Sequence, residues 1–209
     1  MYKISNPIMK KTLLLGVSFM LFSCNDREVQ LTKSNITIVA EVKDHSPVYI
    51  FFVIKNKDTL AEVNRKNTIS TTNWLFNIDK RLPLHIVMPE IVKLQEKKEN
   101  GRHKSDIAQN FYTYADTVSK NLAFIPFQKT TYKFQKPTKD FLLVFGKNNT
   151  IKLNNKLITK EELVVSFSGI SNAVYLCFAK ELSFEKYLEN RIFIHNLKLS
   201  TLSDEEYIY

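Results

Sequence analysis

The sequence predicts an α+β protein built from two similar modules, each a mixed sheet with one or two packed helices. Three observations carry this: short β-rich runs cut by turn residues, two amphipathic helical stripes, and a strand–turn–helix segment that returns after 100 residues. The 209-residue chain is long enough for one large domain or two small ones, and 44% hydrophobic with 24% charged residues is a globular composition. With only four glycines, a Gly-rich nucleotide loop is not expected, because such loops need backbone positions that glycine alone fills easily. Two cysteines and four histidines exclude a disulfide scaffold and a zinc-finger array.

In the first module, Ile36–Val42 and Val48–Lys55 read as a hairpin around a Lys43–Pro47 turn, with a third strand over Thr59–Arg65. Thr72–Ile78 alternates, placing Trp74, Phe76 and Ile78 on one apolar face. Pro83 suits the first turn of a helix whose stripe is Leu84, Val87, Met88, Ile91 and Leu94; Pro89 should kink that helix or mark its start. The helix runs out in the basic segment Lys97–Lys104, a solvated end or an anion-binding patch. Phe111–Val118 and Asn121–Phe127 read as strands.

The second module starts near Tyr132 with strands at Phe141–Phe145 and Thr150–Leu153, then the two-residue turn Asn154-Asn155. Thr159 and Glu162 form a capping box, with Ile158 and Leu163 as the hydrophobic staple, so a short helix covers Lys160 to about Phe167 and ends at Gly169. Val174–Phe178 is a strand. Ser183 caps a helix with Phe184, Tyr187, Leu188 and Ile192 on one face, and Leu199–Tyr209 is extended. Residues 74–84 align with 174–184: Lys80 meets Lys180, Leu82 meets Leu182, and apolar positions match onward to 94 and 194. Chance convergence of two strand–turn–helix units remains the plain alternative to a true repeat.

The N-terminus bears on compartment. Lys10 and Lys11 precede an apolar run from Leu13 to Phe22, then Ser23 and Cys24, the layout of a secretory signal. The run is far short of the ~20 residues that span a bilayer as a helix. Met9 is an alternative start, since residues 1–8 add nothing a signal needs. Leu21-Phe22-Ser23-Cys24 resembles the bacterial lipobox, in which the cysteine thiol carries the lipid after cleavage; Phe22 is bulkier than usual there. The plainer alternative is an ordinary cleaved signal with an incidental cysteine. The lipobox resemblance implies a palmitate-type anchor on Cys24 and a place in a bacterial cell envelope, on the periplasmic face or the cell surface. The expected organisation is signal peptide 1–23, lipidated Cys24 and a polar tether over 24–34, a first module over 35–130, and a second over 131–209. The net charge of +9 falls to +6 without the leader, because Lys3, Lys10 and Lys11 leave with it, so 27 of the 30 basic residues face 21 acidic ones. That favours anionic surroundings such as lipid headgroups or cell-wall carboxylates; no nucleic-acid motif accompanies it.

Thr150 to Leu163, followed by Val174 to Tyr187, resembles the periplasmic domain of the ExbD/TolR biopolymer-transport family. That family shows a strand hairpin, a short helix, a strand ending in Asp-Lys and a second helix. The first module keeps the pair as Asp79-Lys80, while the second has Ala179 at the Asp position. The resemblance implies docking of an envelope transport protein or peptidoglycan, with Trp74, Asp79 and Lys80 as partner-binding candidates and an exposed strand edge as a route. The proton-driven role of that family does not carry over, since its acidic membrane helix has no counterpart in the apolar run.

Catalytic chemistry is sparse. No Gly-x-Ser-x-Gly, His-Glu-x-x-His or Cys-x-x-Cys occurs. His45, His85, His103 and His195 are scattered, and no cofactor or metal is expected. Asp79 and Asp116 end or interrupt apolar strands and are the candidates for an alternative function, hydrolysis of envelope polymers. A structural lipoprotein with no specific ligand is a third reading. Trp74, Tyr112 and Tyr114 could stack on sugars or fill the core, and Cys177 reads as a packed mid-strand thiol.

Overall fold

The computed structural model describes residues 28–101, 105–167, 170 and 172–209; the segment expected as a signal peptide, Cys24, residues 102–104 and Gly169 lie outside the described residues. Two six-stranded mixed sheets and, among the described residues, three α-helices make an α+β fold of two sheet modules. The first sheet holds β1 (Lys33–Ser34), β2 (His45–Lys55), β3 (Asp58–Asn64), β4 (Asn73–Ile78), β5 (Asn110–Asp116) and β6 (Leu122–Pro126), with helix α1 (Leu84–Glu99) between β4 and β5. The second holds β7 (Thr131–Lys133), β8 (Leu142–Phe145), β9 (Ile151–Leu153), β10 (Lys156–Leu157), β11 (Val174–Phe178) and β12 (Leu202–Ile208). Helix α2 (Lys160–Ser166) precedes β11, and α3 (Phe184–Asn196) joins β11 to β12.

The two modules share a wiring. In the first, β3 pairs antiparallel with β2, which pairs parallel with β4, which pairs parallel with β5. In the second, β9, β8, β11 and β12 repeat that order with the same senses. A helix makes the crossover in both, from β4 to β5 and from β11 to β12. The differences are local. β10 and α2 are added between β9 and β11, and the strand beyond the fourth position is the antiparallel β6 in one module and the parallel β7 in the other.

The register of 100 residues reappears as a near-twofold contact. Leu84 N–H donates to Leu182 O at 2.9 Å and Phe184 N–H to Leu82 O at 2.7 Å; His85 N–H donates to Lys180 O at 2.9 Å and Glu185 N–H to Lys80 O at 3.0 Å. These are the first amides of α1 and α3, which have no partner inside their own helices. Each module therefore satisfies the other's helix start. A single core runs through both modules: Trp74, Phe76, Tyr112 and Phe127 from one side meet Phe145, Phe178, Phe184 and Tyr187 from the other. Tyr112 stacks on Phe127 at 3.8 Å between centroids and meets Phe184 edge-on at 5.3 Å.

Four local features differ from expectation. β2 takes its hairpin partner from β3, because Asn56 and Lys57 both adopt positive φ, at 52° and 73°, as a tight two-residue turn needs. The segment Ile36–Val42 instead lies against β6 through reciprocal Val39–Phe124 amide bonds. It covers the back of the sheet, where Val42, Leu75, Phe111 and Phe124 form a second small cluster. Residues 30–34 fall in the stretch expected as tether, yet they dock between β4 and β5: Gln30 O accepts from Lys80 N–H, and Thr32 O from Ala115 N–H. Finally, α1 starts at Leu84 with Pro83 as its N-cap and carries Pro89 inside. In the second module, Asn154-Asn155 makes its turn with φ of 47° and 68°, and the Thr159–Glu162 capping box starts α2.

Candidate functional site

Of the residues singled out in the sequence, Trp74 and Asp79 are buried and Lys80 is half-buried. Trp74 is 3% exposed; its Nε1–H donates to Ile69 O at 2.8 Å, and the Lys98 ammonium lies 5.4 Å from its ring centroid. Lys80 is half-buried and reaches across the module boundary to Glu185 at 2.9 Å. Asp79 is fully buried at the end of β4, where Arg81 donates from Nε at 2.8 Å and from its terminal nitrogen at 2.7 Å. The Arg81 and Gln30 backbone amides donate to it as well. Burial pushes the Asp79 carboxyl up, but the Arg81 side chain and these amides outweigh burial and hold it below its ordinary value. A folded-state value below the unfolded one adds stability above the usual carboxylate range, and that stability is lost as pH falls through the lowered value. Urea midpoints taken from about pH 7 to about pH 3 are expected to fall at the acid end, and Asp79→Asn to start lower and flatten that fall.

Asp116, at the end of β5, accepts from the Thr37 hydroxyl and from Val118 N–H at 2.8 Å, and these donors hold its pKa down at about 2. The docked segment 30–34 lies between it and Asp79. A carboxylate held low keeps its charge at neutral pH and has no proton to give as a general acid. Tyr112 and Tyr114 are fully buried, so neither ring is presented at the surface. Among the described residues, no three His, Cys, Asp or Glu side chains converge as metal ligands. Cys177 is buried in β11, its thiol pushed up to about 12 by burial and then by the Glu206 charge. Alkylation of a Cys24→Ala full-length chain is expected to be silent in buffer and complete in urea; fast native labelling would contradict that burial.

What the fold brings together lies elsewhere. A cleft of about 540 Å³ opens at the junction of the modules, within the usual size of a small-ligand site. Its walls come from five separated segments: the end of α1, residues 105–109, the link 126–130, the last turns of α3 and the start of β12. Phe127, Ala108 and Ile194 make it apolar inside, while Glu99, Asp106, Lys129, His195 and Asp204 stand at the mouth. Arg191, 8% exposed, is in the wall. It ion-pairs with the fully buried Glu206, and Glu206 also accepts from the Tyr187 hydroxyl at 2.9 Å. Tyr187, Tyr132 and Tyr112 continue as a chain of hydroxyls spaced 3.2 and 2.6 Å, so the polar network crosses from one module to the other. Burial raises the Glu206 carboxyl, opposed by Arg191 and the Tyr187 hydroxyl; burial likewise raises all three tyrosines.

No family model matches this chain, no curated protein is similar to it, and no solved structure matches its fold.

The cleft residues escaped the sequence reading. The available signal was Arg191 four residues after Tyr187 inside the buried stripe of α3, a charge where the helix faces the core. Glu206, buried next to Tyr207 and Ile208 in β12, was the second.

Proposed function

We propose that the chain is a noncatalytic binding protein of a bacterial cell envelope, anchored to a membrane by a lipid on Cys24, that docks an envelope transport protein or peptidoglycan. The observation that carries the binding part is the cleft built across two interlocked modules, with a buried polar network behind it. Two further features support it. β3 pairs with β2 on one side only and forms a seven-residue sheet edge on which a partner strand could add. The order hairpin, short helix, strand and helix over β8 to α3 is the order that the ExbD/TolR resemblance implies. The anchor rests on the lipobox-like Leu21–Cys24 and the basic, apolar leader before it. Metabolic labelling with a fatty-acid analogue is expected to mark the wild type and leave Cys24→Ala unmarked. Crosslinking in cells is expected to recover an envelope protein or wall fragment. Equal label in both chains would remove the anchor, and capture of no envelope component would remove the binding role.

A further inference from the structure

Both hairpin turns of the first sheet point to the end at which the chain enters it. β2 runs parallel to β4 with Ile50 beside Ile78, so Ile54 stands four residues beyond the last residue of β4. β5 also runs parallel to β4, with Tyr112 beside Phe76; Tyr114 is therefore level with Ile78, and Val118 comes four residues later. Ile54 is 66% exposed and Val118 72%, and each has an exposed leucine in the strand that returns from its turn, Leu60 in β3 and Leu122 in β6. Scattered exposed apolar residues are ordinary, but pairs of them on two neighbouring tips mark a contact surface.

The chain enters between these tips. In sheet order β4 lies between β2 and β5, and just past its end Gln30 O accepts from Lys80 N–H at 2.8 Å; Thr32 O then accepts from Ala115 N–H near the end of β5. Cys24 precedes Gln30 by six residues, which reach at most ~20 Å in any conformation. A lipid on Cys24 therefore holds this end of the sheet against the bilayer. The junction cleft, flanked by Gln109 before β5 and Pro126 at the end of β6, lies at the opposite end. Charge is secondary here. Exposed Lys55 and Lys57 at one tip and Lys33 and Lys120 by the other are offset by Glu28, Asp58 and Asp116. Asp26 and Arg27 cancel in the tether, and Asp79 and Lys80 are paired with Arg81 and Glu185. The apolar tips, more than a net field, select the partner, with the lysines placed to reach lipid headgroups.

We infer that this end of the first sheet is a membrane-contact surface: the bilayer that holds the Cys24 anchor receives Ile54 and Leu60 from one turn and Val118 and Leu122 from the other. The inference rests on the anchor proposed above, and goes beyond it by fixing which face meets the lipid. The full chain is coupled through Cys24 to a maleimide-bearing phospholipid in phosphatidylcholine vesicles, Cys177 being buried. The attachment is then fixed whether or not cells acylate that cysteine. Ile54→Trp and Val118→Trp each place a reporter on a tip, and Lys129→Trp places one at the cleft. All three positions are exposed, and an unaltered circular dichroism spectrum checks each fold. Trp74, the sole native tryptophan, is a built-in distant reference: it pairs with Ser46, eight residues before Ile54 and so ~26 Å away along β2.

In vesicles with brominated acyl chains, the fluorescence added by Ile54→Trp and by Val118→Trp is expected to be quenched, while that of Lys129→Trp and of Trp74 is retained. Unquenched tips, or Lys129→Trp quenched as strongly as the tips, would overturn the assignment. So would tip fluorescence already shielded before vesicles are added, which would give this end to a second copy of the chain. Fatty-acid labelling in cells reads the anchor separately. Label on Cys24 with unquenched tips removes the contact surface alone, and quenched tips in the coupled chain with no label in cells remove the anchor alone.

Discussion

Glu206→Leu is expected to destabilise the protein by ~3–5 kcal/mol, the cost of leaving a buried charge without its partner. Glu206 is fully buried and is the counter-ion of Arg191, itself 8% exposed, and the acceptor for the Tyr187 hydroxyl. Guanidinium does not deprotonate in proteins, so the variant keeps a cation in the core with no counter-charge. The converse change differs. In Arg191→Met the carboxyl, already raised by burial, takes a proton and becomes neutral. Arg191→Met should therefore cost less than Glu206→Leu. Its folded-state carboxyl value lies above the unfolded one, so the variant is relatively most stable in acid and loses stability as pH rises through the raised value. The double variant replaces the pair by apolar side chains and should recover most of the loss. Urea unfolding of the four proteins at about pH 5 and about pH 8 measures all of this; equal costs for the two single changes would show that the pair is not held as described.

Much of the fold was legible because its signals are local. The alternation of Trp74, Phe76 and Ile78 marks one buried face, and all three fill the core. Thr159 and Glu162 lie three residues apart, and the box they announce is formed. Leu75 was not legible as buried: its cover is Val39 and Val42, which arrive from a segment that makes no regular strand. The hairpin was misassigned at its partner because Lys43–Pro47 and Asn56-Lys57 are both turn sequences, and only the second holds two consecutive residues at positive φ on the way to an edge strand. β7 has three residues, too few for a period to show, and is held by its parallel pairing to β12 more than 70 residues later. The cleft was invisible for the same kind of reason. Gln128, Arg191 and Glu206 approach one another only once the link residues leave β6 and join the second sheet as β7. Residues that act through local geometry are readable in a sequence; residues that meet through sheet order are not.

That same closure predicts how the protein unfolds. Phe184 opens α3 in the second module, yet its ring meets Tyr112 of the first at 5.3 Å and its amide donates to Leu82 O. Phe184→Ala is expected to cost ~3–5 kcal/mol, the usual loss for emptying a large buried aromatic site. The informative readout is Trp74, which belongs to β4 in the first module. Were the modules separate domains, a hole in the second would leave the tryptophan transition where it was, and two unfolding steps would appear. With one core and four reciprocal helix-start bonds across the boundary, the first module has no complete interior of its own. Trp74 fluorescence and far-ultraviolet circular dichroism should then shift together in Phe184→Ala, each as a single coincident transition. A tryptophan midpoint that stays at the wild-type position would mean the modules fold independently, and the cleft between them would lose its fixed geometry with it.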